Sequence, residues 1–301
     1  MVCLSGQVSR TFQQGNDELL ASVIGEAFGG LEYLPRVRCD LSDMDPSQHG
    51  FFIAEDRSST VGCVVVTSLP RKKWFDLRHL ALKNAFSNLE TGEELIRKGL
   101  GYVEESGYEY LKATTPAVQP YVDLYKKFGF VPVRRSLRLA WDLTGPFGRA
   151  RGSAEIRELS KDDRESVEEM IMHAHLPYWD WWLEERGGTA VRDWAGRFGF
   201  PAGTWLGAIR GGRVSGLAGF SPDAYGPGEA RLTCFCVLPE LRGAGIGSTL
   251  LSKTLERARH VGQRRLVIYT LGYLDSLPPG AVTYLKSGAK IEGEYLQLQR
   301  K

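Results

Sequence analysis

Three glycines within five positions, in the stretch VLPELRGAGIGSTLLSKTLERARH (Val237–His260), have the most chemistry to offer. Glycine costs about 1 kcal/mol against alanine inside a helix, yet these stand directly ahead of one. The preceding run RLTCFCV has the β-branched and aromatic character of a central strand, and Pro239 ends it. Leu250, Leu251, Thr254, Leu255 and Ala258 then repeat with the period of a helix. Gly243, Gly245 and Gly247 therefore occupy a strand-to-helix turn. Glycine there takes positive φ and lets a ligand approach a backbone with no Cβ in the way. The first N–H groups of a helix lack intrahelical partners, and its dipole favours negative charge, so the turn suits a pyrophosphate. Arg242 adds a cation at its rim.

Two familiar phosphate loops do not fit. The dinucleotide fingerprint needs glycine where Ser248 stands, and no G-K-[ST] supplies a P-loop lysine. Five cysteines (Cys3, Cys39, Cys63, Cys234, Cys236) include no CxxC pair and read as free thiols of a reducing compartment. Cys234 and Cys236 share one strand face without further ligands, and His173 and His175 would point about 200° apart on a helix. No metal is expected. The segment HAHLPYWDWWLEERGG sets Tyr178, Trp179, Trp181 and Trp182 beside Asp180, Glu184 and Glu185. It either lines a pocket that attracts a cationic amine or packs an interface between the two halves.

The elements that must hold these residues occur twice in the same order. In the first half a helix spans Asp17 to Phe28, with Asn16 as its N-cap. FFIAE and TVGCVVVTSL form a hairpin, FDLRHLAL a strand and LETGEELIRKGLGYVEESG a helix. YEYLKATT, AVQPYVDLYKKFG and RRSLRLAWDL complete it as strand, helix, strand. After a Gly- and Pro-bearing linker at about Thr144–Ser153 the order returns: EIREL, KDDRESVEEMIMHAH, the hairpin TWLGAIRGGRVSGLAGF turning at Gly211–Gly212, then ARLTCFCV, GSTLLSKTLERARHVG, RRLVIYTL, GAVTYLKSG and AKIEGEYLQLQ. This predicts two tandem α+β (mixed α/β) domains, 1–145 and 146–301, each a mostly antiparallel sheet flanked by helices. With 43% hydrophobic residues and a net charge of +2, neither a nucleic-acid nor a membrane partner is expected. The start MVCLSGQVSRTFQQGN has no basic region followed by a long apolar one, and no apolar run is long enough to span a bilayer, so a cytoplasmic protein is expected.

LPELRGAGIGSTLL resembles the acyl-CoA signature [RQ]-x-x-G-x-[GA] of the GCN5-related N-acetyltransferases, with Arg242, Gly245 and Gly247 in the matching places. The likeness covers Ala154–Lys301. It implies that acetyl-CoA is the co-substrate and that the backbone of Phe235, Cys236 and Val237 pairs with the pantetheine arm. It further implies that amides of Gly243, Ala244, Gly245, Ile246, Gly247 and Ser248 hold the pyrophosphate. TYLKSGAKI matches the family's Y-x-x-x-G, which implies that Tyr284 protonates the leaving thiolate. Leu277 stands where the family often has asparagine, and Pro278–Pro279 alter the approach. A carboxylate near the strand before the glycine loop often takes the amine proton; Asp223 and Glu229 are the acids there, and Glu229 is preferred.

The first half matches in part. LYKKFGFVPV supplies Tyr125 and Gly129, but LALKNAFSNLETGEELI has no R-x-x-G-x-G and only Gly92 near its helix start. That half reads as a degenerate copy, an arrangement similar to mycothiol synthase-like acetyltransferases. The expected acceptor is a small-molecule or peptide amine. A CoA-binding regulator without turnover and a nucleotide-binding module are the alternatives.

Overall fold

The computed structural model describes residues 7–9, 17–42, 44, 49–56, 59–69, 73–83, 89–147, 154–174, 203–278 and 280–300. The chain forms two compact units: Met1–Ser136 with Leu271–Ser276 and Gly293–Lys301, and Leu137–Thr270 with Leu277–Glu292. Each is a mixed α/β unit with a central sheet flanked by helices.

The first unit holds β1 (Gln7–Ser9), α1 (Asp17–Phe28), α2 (Leu34–Ser42), β2 (Gly50–Asp56), β3 (Ser59–Ser68), β4 (Trp74–Leu82), α3 (Leu89–Glu105), β5 (Tyr110–Pro116) and α4 (Gln119–Lys127). Its strands lie in the order β1-β2-β3-β4-β5-β12, where β12 is Lys290–Arg300. β4 and β5 are parallel; β1 with β2, β2 with β3, β3 with β4 and β5 with β12 are antiparallel. Alternation sorts the side chains. Phe51, Ile53, Cys63 and Val65 meet Leu20, Ile24, Val37 and Leu41 of α1 and α2. Phe52, Ala54, Val64 and Val66 meet Leu95, Ile96, Leu124 and Tyr125 of α3 and α4. With both faces covered, the strands read as continuous apolar runs.

The second unit follows with β6 (Phe130–Asp142, from Leu137 on), β7 (Glu155–Glu158), α5 (Arg164–Ala174), β8 (Thr204–Arg210), β9 (Arg213–Ser221), β10 (Glu229–Val237), α6 (Ile246–His260), β11 (Arg265–Tyr273) and α7 (Ala281–Lys286). Its strand order is β6-β11-β10-β9-β8-β7. Leu251, Leu255 and Ala258 of α6 and Tyr284 of α7 cover one face together with Leu137, Leu139 and Trp141 of β6. Val167, Met170, Ile171 and Ala174 of α5 pack on Trp205, Cys234 and Cys236.

The units do not follow a single cut at residues 145 and 146. Tyr295–Gln299 of the last strand pair antiparallel with β5 in the first unit, and Leu298 lies in the core shared with α3 and α4. Leu137, Leu139 and Trp141 belong to the core of the second. The turn after β6 is fixed by Thr144, whose N–H and hydroxyl both donate to Asp142 Oδ1, at 2.9 and 2.6 Å. Arg259 Nε donates to the Leu143 carbonyl at 2.6 Å, and its guanidinium covers the Phe147 ring at 4.3 Å. The beginning of the expected linker is therefore fastened to the end of α6. No described helix is long and apolar enough to cross a membrane.

Candidate active site

The parallel pair at the centre of the second unit separates. β10 and β11 pair at Glu229, Ala230 and Arg231 with Arg265, Leu266 and Val267, and β10 then runs on to Val237 with no further parallel partner among the described residues. On its other side β10 pairs with β9 along its length, but one extra residue intervenes: Leu232 opposes Phe220 and Cys234 opposes Gly219. Such a bulge shifts the alternation by one. Leu232 and Phe235 therefore join the α6–α7 face, while Cys234 and Cys236 turn together to α5. Thr233 pins the bulge through its hydroxyl, which donates to the Gly219 carbonyl at 2.9 Å. The two thiols contact one another; that contact and burial push Cys234 well up, so Cys234 is a packing group rather than a nucleophile.

Beyond Val237 the chain makes a short 3-10 turn, Pro239–Leu241. Gly243 and Gly245 follow at φ +83° and +80°, Gly245 capping α6. A side chain at either position would be strained. The first helical bond runs from Thr249 N–H to the Gly245 carbonyl, 3.1 Å, so the N–H groups of Ile246, Gly247 and Ser248 have no acceptor within the helix. Gly247 plays a different part. A Cβ there would meet Val237 Cγ2 at 3.4 Å and Phe235 Cζ at 3.5 Å, an ordinary contact. The turn thus offers a row of amides on a backbone where every second residue, Gly243, Gly245 and Gly247, lacks a side chain, at the end of β10.

Arg242 is not the loose rim cation its position suggests. Its Nε donates to the Val237 carbonyl at 3.2 Å and its Nη2 to the Ala174 carbonyl at 2.5 Å.

Tyr284 projects from α7 beneath this wedge and is 3% exposed. Its ring lies 5.5 Å from that of Trp141 and 5.5 Å from that of Phe235, edge-on to both. Trp141 is in turn held by its indole N–H, which donates to Ser287 Oγ at 2.9 Å. A Cβ on Gly280 would stand 2.6 Å from Tyr284 Oη; only glycine at the start of α7 leaves the phenol its place. Burial, with Cys234 and Cys236 nearby, raises the phenol far above its ordinary pKa of 10, so the hydroxyl keeps its proton at neutral pH.

Glu229 lies at the opposite end of β10 from Val237, its carboxylate 3.8 Å from Arg265 Nε. Asp223 is a turn strap: Oδ1 accepts from Gly228 N–H at 2.6 Å and from Gln263 at 3.1 Å, and these bonds hold its carboxyl below the usual range. The structure thus brings together Phe235, Val237, Gly243–Ser248 and Tyr284, and sets Glu229 apart. Thr233, Trp141 and Gly280 carry no motif and are legible only once β10, β6 and α7 are placed. The aromatic cluster at Tyr178–Trp182 and His175 lie outside the described residues; His173 is exposed, its Nδ1 2.9 Å from the Glu169 carbonyl.

The first unit repeats the wedge. β4 and β5 pair from Trp74–Tyr110 to Arg78–Thr114 and no further, and β4 carries its own bulge between Arg78 and Ala81, with His79 at φ +53°. Tyr125 is fully buried on α4 and its hydroxyl has no partner among the described residues. Gly92 is filled space: a Cβ would lie 2.5 Å from Leu124 Cδ2.

The model of the acetyltransferase (GNAT) family matches residues 21–130 and again 158–273. Among solved structures, a GCN5-related N-acetyltransferase from Sphaerobacter thermophilus aligns with a TM-score of 0.76 at 15% identity, covering 98% of this chain and 95% of its own. A tandem GNAT protein from the clavulanic acid biosynthesis pathway aligns with a TM-score of 0.66 at 14% identity, covering 98% of both. A GNAT-family acetyltransferase from Colwellia psychrerythraea aligns at 0.61 with 13% identity, over 98% of this chain and all of its own. No curated protein matches the sequence.

Proposed function

Since the chain belongs to the acetyltransferase (GNAT) family, matched by its model in two tandem regions, we propose that its second unit transfers an acyl group, acetyl in the first instance, from acyl-CoA to a primary amine. One observation carries the proposal: β10 loses its parallel partner after Arg231 and ends in a turn with Gly243 and Gly245 at positive φ ahead of α6. The free edge of Phe235, Cys236 and Val237 accepts an extended pantetheine arm as an added strand. The amides of Gly243–Ser248 face the pyrophosphate, where positive backbone dipoles and the missing side chains of Gly243, Gly245 and Gly247 favour an anion.

The acceptor nitrogen attacks the thioester carbonyl directly; the C–N bond forms, the C–S bond breaks, and the thiolate takes a proton. Tyr284 is the donor in this reading, a phenol protonated at neutral pH that packs against Phe235 of the same edge. Glu229 is the candidate for the group that removes the amine proton. It lies six residues from Phe235, roughly 20 Å along the strand, so the proton travels through water. The acceptor is a small-molecule or peptide amine, and the protein works in the cytoplasm.

Incubating the full chain with acetyl-CoA and a panel of primary amines, and following free thiol, tests the proposal. Amine-dependent thiol release is the expected result. CoA binding by calorimetry with no release for any amine would leave a CoA-binding protein without turnover.

A further inference from the structure

The wedge of the first unit holds a side chain of its own. β4 and β5 pair as far as Arg78 and Thr114, and β4 then runs on to Leu82. The next residue, Lys83, donates its N–H back to the Val61 carbonyl of β3 at 2.8 Å. Successive main-chain groups of a strand point to opposite sides, so the N–H and C=O of Leu82 face away from β3, into the opening. There the Tyr121 hydroxyl meets both. It accepts from Leu82 N–H at 3.1 Å and donates to the Leu82 carbonyl at 3.3 Å. The ring, carried on α4, packs against the α3–α4 core and also against the α1–α2 core of the other sheet face. On that second side the Phe28 ring lies 4.6 Å away. The phenol therefore passes between β4 and β5.

Strand register identifies the corresponding place in the second unit. Leu82 stands opposite Gly62, and Val237 stands opposite Gly216. Leu238 N–H donates to the Ser215 carbonyl of β9 at 3.1 Å, as Lys83 does to Val61. Leu82 thus corresponds to Val237. Tyr121 precedes the buried Tyr125 by four residues, and four residues before Tyr284 stands Gly280, which has no side chain to place in a wedge. The Val237 carbonyl accepts from Arg242 Nε at 3.2 Å and keeps a second lone pair.

We propose that Tyr121 is a built-in plug, whose hydroxyl makes with Leu82 the two main-chain hydrogen bonds that amides of an extended ligand would make, so that the first wedge is shut to a pantetheine-like chain. A chain that adds to a strand edge is held by main-chain bonds, and those of Leu82 are already engaged. Two equivalent positions, Tyr121 and Gly280, thereby decide which wedge admits ligand. The class of that ligand rests on the acyl-CoA reading of β10; the closure of the first wedge does not.

Free pantetheine, which carries secondary amides and no phosphate, tests this without engaging the glycine turn. Hydrogen exchange on the full chain is read at the single amides of Leu82 and Val237, with and without millimolar pantetheine. In the wild type pantetheine should slow Val237 and leave Leu82 unchanged. Tyr121→Phe keeps the ring and loses the hydroxyl; its Leu82 amide should exchange about tenfold faster than wild type and stay insensitive to pantetheine. In Tyr121→Ala the amide should also exchange faster, and pantetheine should slow it by about fivefold. A merely structural tyrosine would speed exchange without creating that response. Wild-type exchange of Leu82 in Tyr121→Phe, or slowing of Leu82 by pantetheine in the wild type, would overturn the plug, and these two arms decide it even where Tyr121→Ala does not fold. A folded Tyr121→Ala protein whose Leu82 ignores pantetheine while Val237 responds would overturn the plug and leave the reading of β10 standing. A response at Leu82 of Tyr121→Ala with none at Val237 would uphold the plug and overturn that reading, and silence at both amides would overturn both.

Discussion

The two units carry one wedge with two different lips. In each, a parallel pair stops pairing partway, at Arg78–Thr114 in the first and Arg231–Val267 in the second. In each, the first strand of that pair bulges just beyond its last paired residue, and a tyrosine is buried on the helix that follows the second strand, Tyr125 on α4 or Tyr284 on α7. The difference lies beyond the strand. The second unit turns through glycines at positive φ into α6, whereas α3 (Leu89–Glu105) buries its Gly92 against Leu124. A glycine near a helix start is thus two things: absent bulk offered to a ligand, or absent bulk already used by a neighbouring helix. Spacing relative to the strand end separates them, and glycine count does not.

The largest effect expected of that difference is on CoA itself. Gly245→Asp or Gly247→Asp sets a carboxylate among the amides meant for a pyrophosphate and should abolish binding. Gly247→Asp tests it more cleanly, because its Cβ enters at ordinary contact distance while position 245 adds backbone strain. Calorimetry on the wild type should find one CoA site per chain. Gly92→Ala should cost about 1–3 kcal/mol of stability by overpacking and leave that site intact. Two sites of similar affinity, or a Gly247→Asp protein that still binds, would erase the distinction between the lips.

The tyrosines sharpen the comparison at the level of rate. Tyr284→Phe should keep CoA affinity and slow transfer by roughly ten- to a thousandfold, the range of general-acid effects. Because the Tyr284 phenol is raised above its ordinary value, its ionisation should cause no loss of rate as pH climbs towards 10. Tyr125→Phe removes a buried hydroxyl that has no partner; such a change is neutral or stabilising, and the rate should stay within twofold. A slow Tyr125→Phe enzyme would move the chemistry to the first unit.

Element order was legible because each strand and helix carries its own period and its own terminating glycine, as Gly107, Gly129 and Gly288 do at positive φ. The helix α2 was missed: LPRVRCDLS is short, polar on most of its surface and buries only Val37 and Leu41. Which sheet receives the last strand was not legible either, since Leu298 and Leu139 present similar alternating patterns and pairing is decided by partners far away in sequence. At the candidate site, the glycine spacing and Tyr284 stand in the sequence. The role of Arg242 does not, for its partners are main-chain carbonyls, and a carbonyl has no sequence signal.

The smallest expected effect concerns acid, and it distinguishes the units by their histidines. His79 in the first unit is 8% exposed with Nε2 unpartnered. Its pKa is lowered to about 3, by burial first and then by Arg78 and Arg36, with Asp40 opposing. The described histidines of the second unit, His173 and His260, are exposed. An unfolded histidine takes a proton below about pH 6.5, whereas the folded His79 refuses one until about pH 3. Within that window the unfolded state binds the extra proton, so stability falls as pH falls, by about 1.4 kcal/mol per pH unit. Denaturant unfolding at pH 7 and pH 5 should therefore show a loss that His79→Asn reduces by about 2 kcal/mol. Asparagine suits the test because it tolerates positive φ and carries no charge at either pH. Parallel losses in the two proteins would mean that the imidazole takes up its proton within the fold, and the acid sensitivity would then have to come from groups other than His79.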